Sequence, residues 1–275
     1  MHPEVVAVLQ CPCCRDHLTL EGRTLRCGAG HAFDLARTGY VNFVVGRSAR
    51  VGDTDAMVSA RDTFLSAGHF DPLSAELAMV AQRAGPGIAV ELGSGTARHL
   101  SKVLDALPTP AGLAIDVSAA AARRAARAHP RVSAVVADTR RTLPVADGVA
   151  ALAMLVFAPR NGAELRRIVR DDGALLVATP LPDHLAELRT AFDLIRVDAE
   201  KQTRLDAALS PGFARAESRQ VRWEMVLTRS DCEALVAMGP SAHHLAAAAI
   251  AERAHRLPDA TRVTGACCVE VWTPR

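Results

Sequence analysis

The chain has 275 residues, 49% of them hydrophobic, at a mean hydropathy of +0.12, a make-up unlike that of disordered chains and long enough to bury a core without staples. Lysine and arginine total 32 against 30 acids, and the resulting net charge of +2 neither requires nor excludes a nucleic-acid partner. No run of 18 apolar residues occurs and the start, Met1-His2-Pro3-Glu4-Val5-Val6, lacks a basic stretch leading into an apolar one, so neither a membrane span nor a secretory leader is expected.

Seven cysteines in such a chain point to a reducing, cytoplasmic setting. Four of them fall within residues 11–27, inside a first module of short, turn-rich elements over residues 1–45. Leu18–Leu20 and Thr24–Arg26 flank Glu21-Gly22-Arg23 as a hairpin. Cys11-Pro12-Cys13-Cys14 and Cys27-Gly28-Ala29-Gly30-His31 form a C-x2-C pair and a C-x3-H pair, with twelve residues between them. Zn(II) takes four tetrahedral sulfur and nitrogen ligands, and Cys11, Cys14, Cys27 and His31 supply them, leaving Cys13 as a spectator. A redox C-x-x-C is the alternative, but it lacks the βαβ context and leaves Cys27 and His31 unexplained. A closed four-ligand site leaves no place for substrate, so the metal is expected to fold the module rather than to catalyse.

Residues 46–54 read as a polar linker, and 55–84 as helical, broken near Gly68-His69, so that 46–85 joins the first module to the rest of the chain. From residue 86 to 275 short apolar runs alternate with helical stretches. Strands are predicted at Ile88–Leu92, Gly112–Asp116, Val132–Ala137, Ala151–Phe157 and Ala174–Ala178, with helices at 97–107, 118–128 and 162–169. The alternation predicts an α/β fold, a doubly wound and mostly parallel sheet covered on both faces. A helix at 183–196, a strand at Val221–Leu227, a helix from Ser230 and a strand at Val263–Thr273 complete the chain and offer an antiparallel edge.

Glu91-Leu92-Gly93-Ser94-Gly95-Thr96 ends one strand and opens a helix, a place where backbone can pass close to a ligand. Position 98 is Arg98, not the third glycine of a dinucleotide loop. The next strand ends in Asp116, 21 residues beyond Gly95, where an acid binds ribose hydroxyls, and the third is followed by Asp138, a partner for an adenine amino group. Each acid alone reads as a helix cap or a solvated charge. Jointly, Glu91, Gly93, Gly95, Asp116 and Asp138 suit an adenosyl ligand without a diphosphate, S-adenosylmethionine.

These residues carry a resemblance. The Cys-x2-Cys…Cys-x3-His pattern, Phe33-Asp34, Gly39-Tyr40-Val41-Asn42, Gly52-Asp53…Met57…Ala60-Arg61…Phe64-Leu65…Gly68-His69-Phe70, Phe157-Ala158-Pro159-Arg160-Asn161, Thr179-Pro180…His184-Leu185-Ala186-Glu187-Leu188 and Ala237-Met238-Gly239-Pro240-Ser241 resemble the large-subunit ribosomal RNA guanine-N1 methyltransferases. The resemblance spans nearly the whole chain and is nearest to the branch conferring tylosin (macrolide) resistance. It implies a zinc-ribbon module (the RlmA type) that reads a 23S rRNA hairpin near the peptide exit tunnel, joined to a methyltransferase domain. It also implies cofactor contacts at Phe70, Gly95, Thr96 and His184. Relatives often have tyrosine where Phe70 stands, and tryptophan where His243 stands.

Arg160 and Asn161, after the fourth strand, are expected to orient the substrate, since ligands of open α/β sheets sit at that end; a capping Asn beside a surface Arg is the plainer alternative. RNA contact is expected at Arg15, Arg23, Arg26, Arg37, Arg47 and Arg50 and at Arg123, Arg124, Arg127 and Arg131, unless the latter simply form a solvated helix face. Phe33, Tyr40 and Phe43 either stack on bases or form the module's small core. A homodimer remains open, no membrane partner is expected, and two rivals stand: a small-molecule methyltransferase that retains the zinc module, and a non-catalytic RNA-binding protein.

Overall fold

The computed structural model describes residues 1–46, 52–108, 111–194 and 200–275. In chain order the elements are α1 (Pro3–Val6), β1 (Leu18–Glu21), β2 (Thr24–Cys27), β3 (Ala32–Asp34), β4 (Val41–Asn42), α2 (Asp55–Ser66), α3 (Asp71–Ala81), β5 (Ile88–Leu92), α4 (Arg98–Ala106), β6 (Gly112–Asp116), α5 (Ala119–Ala125), β7 (Val132–Val136), β8 (Ala150–Val156), α6 (Gly162–Ile168) and β9 (Val169–Pro180). The chain then runs through α7 (Ala186–Phe192), α8 (Lys201–Leu209), β10 (Phe213–Leu227), α9 (Arg229–Ala237), a 3-10 turn (Pro240–His243), α10 (Ala247–His255) and β11 (Thr261–Pro274).

An eight-stranded sheet has the order β10-β11-β9-β8-β5-β6-β7-β4. Strands β4 to β9 in this sheet pair in parallel, while β11 and β10 run antiparallel at one edge. The chain steps outward from β5 through β6 to β7, then returns to β8 on the other side of β5. That reversal opens a crevice at the carboxyl ends of β5 and β8, where ligands of such sheets bind. The central strands are buried along their whole length, as expected of a sheet covered on both faces.

The small sheet β1-β2-β3 is antiparallel, with Leu18 opposite Cys27 across the predicted hairpin and Gly22 at φ +61° in its turn. Its neighbour β4 does not join it; Val41 and Asn42 pair in parallel with Val135 and Val136 at the far edge of the large sheet. Val5, Leu9, Leu18, Leu25 and Val41 share one apolar cluster with Ile88, Leu113, Val135 and Leu155, so the N-terminal segment packs directly on one face of the central strands.

The late strands are longer than the apolar runs suggest. β10 begins at Phe213 instead of Val221, because its first half (Ala214–Gln220) is a polar edge with largely exposed side chains held by the ladder to β11. The predicted helix at 183–196 is only α7, and α8 has no predicted counterpart. The expected linker residues 47–51 lie outside the described residues; Thr54 caps α2 by accepting from the Met57 N–H at 3.3 Å.

Candidate active site and metal centre

The loop after β5 is forced into shape by three left-handed residues, Gly93 (φ +65°), Gly95 (φ +53°) and Ala97 (φ +57°). Glycine is required at 93 because a Cβ there would stand 2.7 Å from that of Ala158; at 95 it would stand 3.1 Å from an Arg61 guanidinium nitrogen. Asp116, at the end of β6, holds this loop: one carboxylate oxygen accepts the Gly95 N–H at 2.8 Å and the other the Ser118 N–H at 2.8 Å.

A cavity of about 930 Å³ opens above this loop. Glu91, Gly93, Gly95, Asp116 and Asp138 line it, together with Phe70, His184 and Arg160. Thr96 is buried beside the loop but not on the wall, and its hydroxyl has no partner. Asn161 is not on the wall either: its Oδ1 accepts the Glu164 N–H to cap α6 and its amide donates to the Thr139 and Arg141 carbonyls. The amide is thereby committed to joining α6 to the loop after β7.

Burial pushes the Glu91 carboxyl up to about 8, with Asp116 adding to the rise against a Leu100 backbone hydrogen bond, and its Oε2 has no partner. Burial also raises Asp116, against the bonds from Ser118 and Gly95. His99 is pushed down to about 4, by burial first and the neighbouring Arg98 second, and its Nδ1 meets the Ser74 hydroxyl at 2.9 Å. It is a neutral core histidine on the cavity floor. His69 stacks on Phe64 and reaches Asp231 at 3.4 Å, tying the α2–α3 corner to the start of α9. His184 accepts the Ala266 N–H on Nδ1 at 3.1 Å, so the neutral ring carries its proton on Nε2. Phe70 is buried, edge-on to Phe64, Phe157, His184 and Trp223. Burial lowers the Arg160 guanidinium, with Arg204 in the same direction and Glu270 opposing.

Several wall residues were not singled out for a role from sequence. Arg61 pairs with Asp53 at 2.5 Å and donates to the Met238 carbonyl at 2.8 Å, fastening α2 to the Met238–Ser241 wall. Both stand in the family-like motif around Ala60-Arg61, the one signal that marked them. Phe157 faces the same cavity.

The donor set and cradle fit S-adenosylmethionine. Glu91 Oε2 and the Ser94 and Thr96 hydroxyls are buried without partners around a glycine loop, and a carboxylate stands at the strand end next door.

At the other end of the molecule, Cys11, Cys14, Cys27 and His31 bring their ligand atoms within 4.8 Å of one another. Cys14 and Cys27 sulfurs lie 3.6 Å apart, and His31 Nδ1 lies 3.6 Å from Cys11 and 3.4 Å from Cys27. Zn–S bonds of about 2.3 Å in a tetrahedron place ligands roughly 3.8 Å apart, so the cluster fits Zn(II). Cys13 is exposed, and its backbone N–H donates to Cys11 Sγ at 3.4 Å, which makes it a supporter and not a ligand.

The arginines expected on RNA are mostly engaged. Arg15 pairs with Asp147, Arg26 with Glu21, and Arg23 donates to the Leu35 and Ala36 carbonyls. Arg123 and Arg124 pair with Asp55 and Asp62 of α2 and brace α5, and Arg131 donates to the Leu107 carbonyl at the end of α4. Arg47 and Arg50, and the side chain of His243, lie outside the described residues. Phe33 packs edge-on to Phe43 at 5.0 Å and Tyr40 is half-buried against the core.

Residues 9–44 match the family model for the zinc ribbon of the RlmA N-terminal segment. The chain is 45% identical, over 100% of its length and 99% of the other's, to the 23S rRNA (guanine(748)-N(1))-methyltransferase of Streptomyces fradiae. It is 46% identical, over the full length of both, to a protein of Micromonospora griseorubida provisionally named a 23S rRNA (guanine-N(1)-)-methyltransferase. Among solved structures, the Haloferax volcanii methyltransferase partner of the Trm112 activator shares the fold at a TM-score of 0.50 and 19% identity, covering 81% of this chain and 99% of that one. With a zinc cluster at one end, a glycine-loop cavity at the other and full-length relatives of this kind, the chain belongs to the family of 23S rRNA (guanine-N1)-methyltransferases with an RlmA-type zinc ribbon.

Proposed function

We propose that this chain transfers a methyl group from S-adenosylmethionine to N1 of a guanine in a 23S rRNA hairpin near the peptide exit tunnel, and that in its host this confers tylosin-type macrolide resistance. The observation that carries the reading is the cavity at the sheet reversal, where Asp116 grips the glycine loop and Glu91 keeps a buried oxygen unpaired, in a chain that also holds a Cys3His cluster. Residues 1–45 act as the RNA reader and 86–275 as the methyl-transfer unit, with 46–85 joining them and contributing Gly52, Asp53, Arg61, Leu65 and Phe70 to the cavity wall. No described helix is long and apolar enough to cross a membrane, in keeping with work on ribosomal RNA in the cytoplasm.

When bound, S-adenosylmethionine supplies a methyl group on a sulfonium, ready for in-line displacement. Glu91 would hold the cofactor's ammonium, Asp116 its ribose and Asp138 its adenine amino group, while Gly93, Gly95 and Thr96 shape the backbone cradle. Phe70 and His184 close the side. Guanine N1 bears a proton at neutral pH, so a base must take it or the charge spreading to O6 must be stabilised. Of the cavity's four acids, Asp53 is held by Arg61, Asp116 by the loop and Asp138 by the Arg140 N–H, and Glu91 sits in a buried niche. His99 is buried against Ser74, and the Nδ1 of His184 is taken by the Ala266 N–H. Arg160 is therefore the group that meets the developing charge on O6, and a lowered guanidinium, still cationic, suits that task. Asn161 acts behind it, fixing the loop through its cap on α6.

The test is primer extension on 23S rRNA after incubation with zinc-loaded enzyme and S-adenosylmethionine, since N1 methylation blocks pairing. A cofactor-dependent stop at one tunnel-proximal hairpin is expected. A clean lane with labelled methyl appearing only in small molecules would assign the enzyme to antibiotic intermediates, and cofactor binding with no transfer at all would leave an RNA-binding protein.

A further inference from the structure

We infer that Phe157 is the platform on which the acceptor base stacks, an assignment that rests on the RNA reading above. It is the first residue beyond β8 and is 40% exposed, one of five large apolar side chains among the described residues left so open. The other four, Leu20, Val45, Met79 and Val226, are not on the cavity wall; Phe157 is. An isolated exposed phenylalanine on an outer surface would need no explanation, but one facing a ligand cavity does.

Its backbone is left-handed at φ +55°, a region that bulky residues avoid. The Phe157 N–H donates to the Ala178 carbonyl at 3.1 Å and continues the sheet; directly after it the chain turns, and Ala158 packs onto Gly93. The turn thus lifts the Phe157 ring out of the strand end while its neighbour sits on the glycine loop. Pro159 follows and restricts Ala158, which stiffens the segment. Strain held at a ligand-facing residue by an over-determined surrounding is the pattern of a positioned functional group.

The ring is braced by two others. His184 lies 5.7 Å away at 34°, and Phe70 is edge-on at 6.4 Å. The sequence has only seven phenylalanines, two tryptophans and one tyrosine, yet Phe70, Phe157 and Trp223 converge here around His184. The ring nonetheless stays 40% exposed, and Arg160 lines the same cavity. A guanine offers a π-face for the first and the acceptors O6 and N7 for the second. Because Ala158 touches Gly93, a base stacked on Phe157 lies next to the cofactor cradle, which is where methyl transfer requires it. The phenyl ring therefore holds an extruded base flat, and Arg160 fixes its rotation.

The experiment uses the full-length, zinc-loaded chain and two hairpin RNAs, one with the guanine identified by primer extension and one abasic at that nucleotide. The wild type should bind the intact hairpin about tenfold more tightly than the abasic one. F157A and F157L should lose that preference and about tenfold or more in methyl transfer, keep S-adenosylmethionine affinity within about twofold, and F157Y should restore both losses. F157L retains apolar bulk, so it separates stacking from packing. Persistence of the abasic penalty in F157A and F157L, or transfer by F157L at the wild-type rate, would overturn the assignment. If the wild type methylates no hairpin, the RNA reading itself fails and takes this one with it, an outcome distinct from any variant effect.

Discussion

Glu91 and His99 lie on either side of the glycine loop, and burial holds both neutral by moving them in opposite directions. The folded Glu91 keeps its proton up to about pH 8, while an unfolded carboxyl releases it near 4.5, so its stability contribution is full below 4.5 and is lost as pH rises through 8. The folded His99 stays neutral down to about 4 while an unfolded imidazole charges near 6.5, so its contribution is lost as pH falls across that interval. Between about 4.5 and 6.5 the two slopes oppose each other, and from 6.5 to 8 only that of Glu91 remains. E91Q should abolish the decline on the alkaline side and unfold at higher urea than the wild type at pH 8, by on the order of a few kcal/mol. It should also weaken S-adenosylmethionine binding, since an amide, unlike the acid, cannot give up a proton to become an anion when the ammonium arrives. Urea titrations at pH 5, 7 and 9 with calorimetric cofactor binding check both; a variant as steeply pH-dependent as the wild type would contradict the buried-acid account.

At the scale of elements, legibility followed the physics of each segment. Ile88–Leu92 and Gly112–Asp116 appear with the bounds expected, because a fully buried parallel strand is a continuous apolar run punctuated by glycine. The first half of β10 and all of α8 were not readable: the one is a polar edge stabilised by its ladder, the other a polar helix placed by tertiary contacts. The metal ligands were legible because their spacing is local, whereas the Arg61–Asp53 pair and its bond to Met238 join distant segments, and no local pattern encodes that. The same limit applies to Arg123 and Arg124, whose partners on α2 turn an apparently free basic face into a brace. For the zinc hairpin the consequence is direct. C27A should reduce bound zinc from one per chain to near zero by atomic absorption. The first module shares its apolar cluster with the central strands, so calorimetry should record a main transition lowered by several degrees, preceded by a small early melt as the freed module comes away.

For the whole molecule, the two ends of the sheet serve different purposes. The antiparallel pair β11 and β10 extends the β9 side, and the buried Glu270 on β11 accepts from Trp272 and from the exposed Gln202 and Arg215. The opposite margin ends on β4, two residues long, donated by the segment that follows the metal cluster. Those two residues shield the backbone of β7, a strand buried along its length and rich in valine. Stripping the ion should therefore do more than loosen a small appendage: it should unlatch this cover and leave a bare, sticky strand able to recruit its like from another chain. Chelated protein should accordingly form higher oligomers in light scattering, reversibly on early zinc return, and a scarcity of zinc would cost the cell its methyltransferase through clumping before any loss of cofactor affinity was felt.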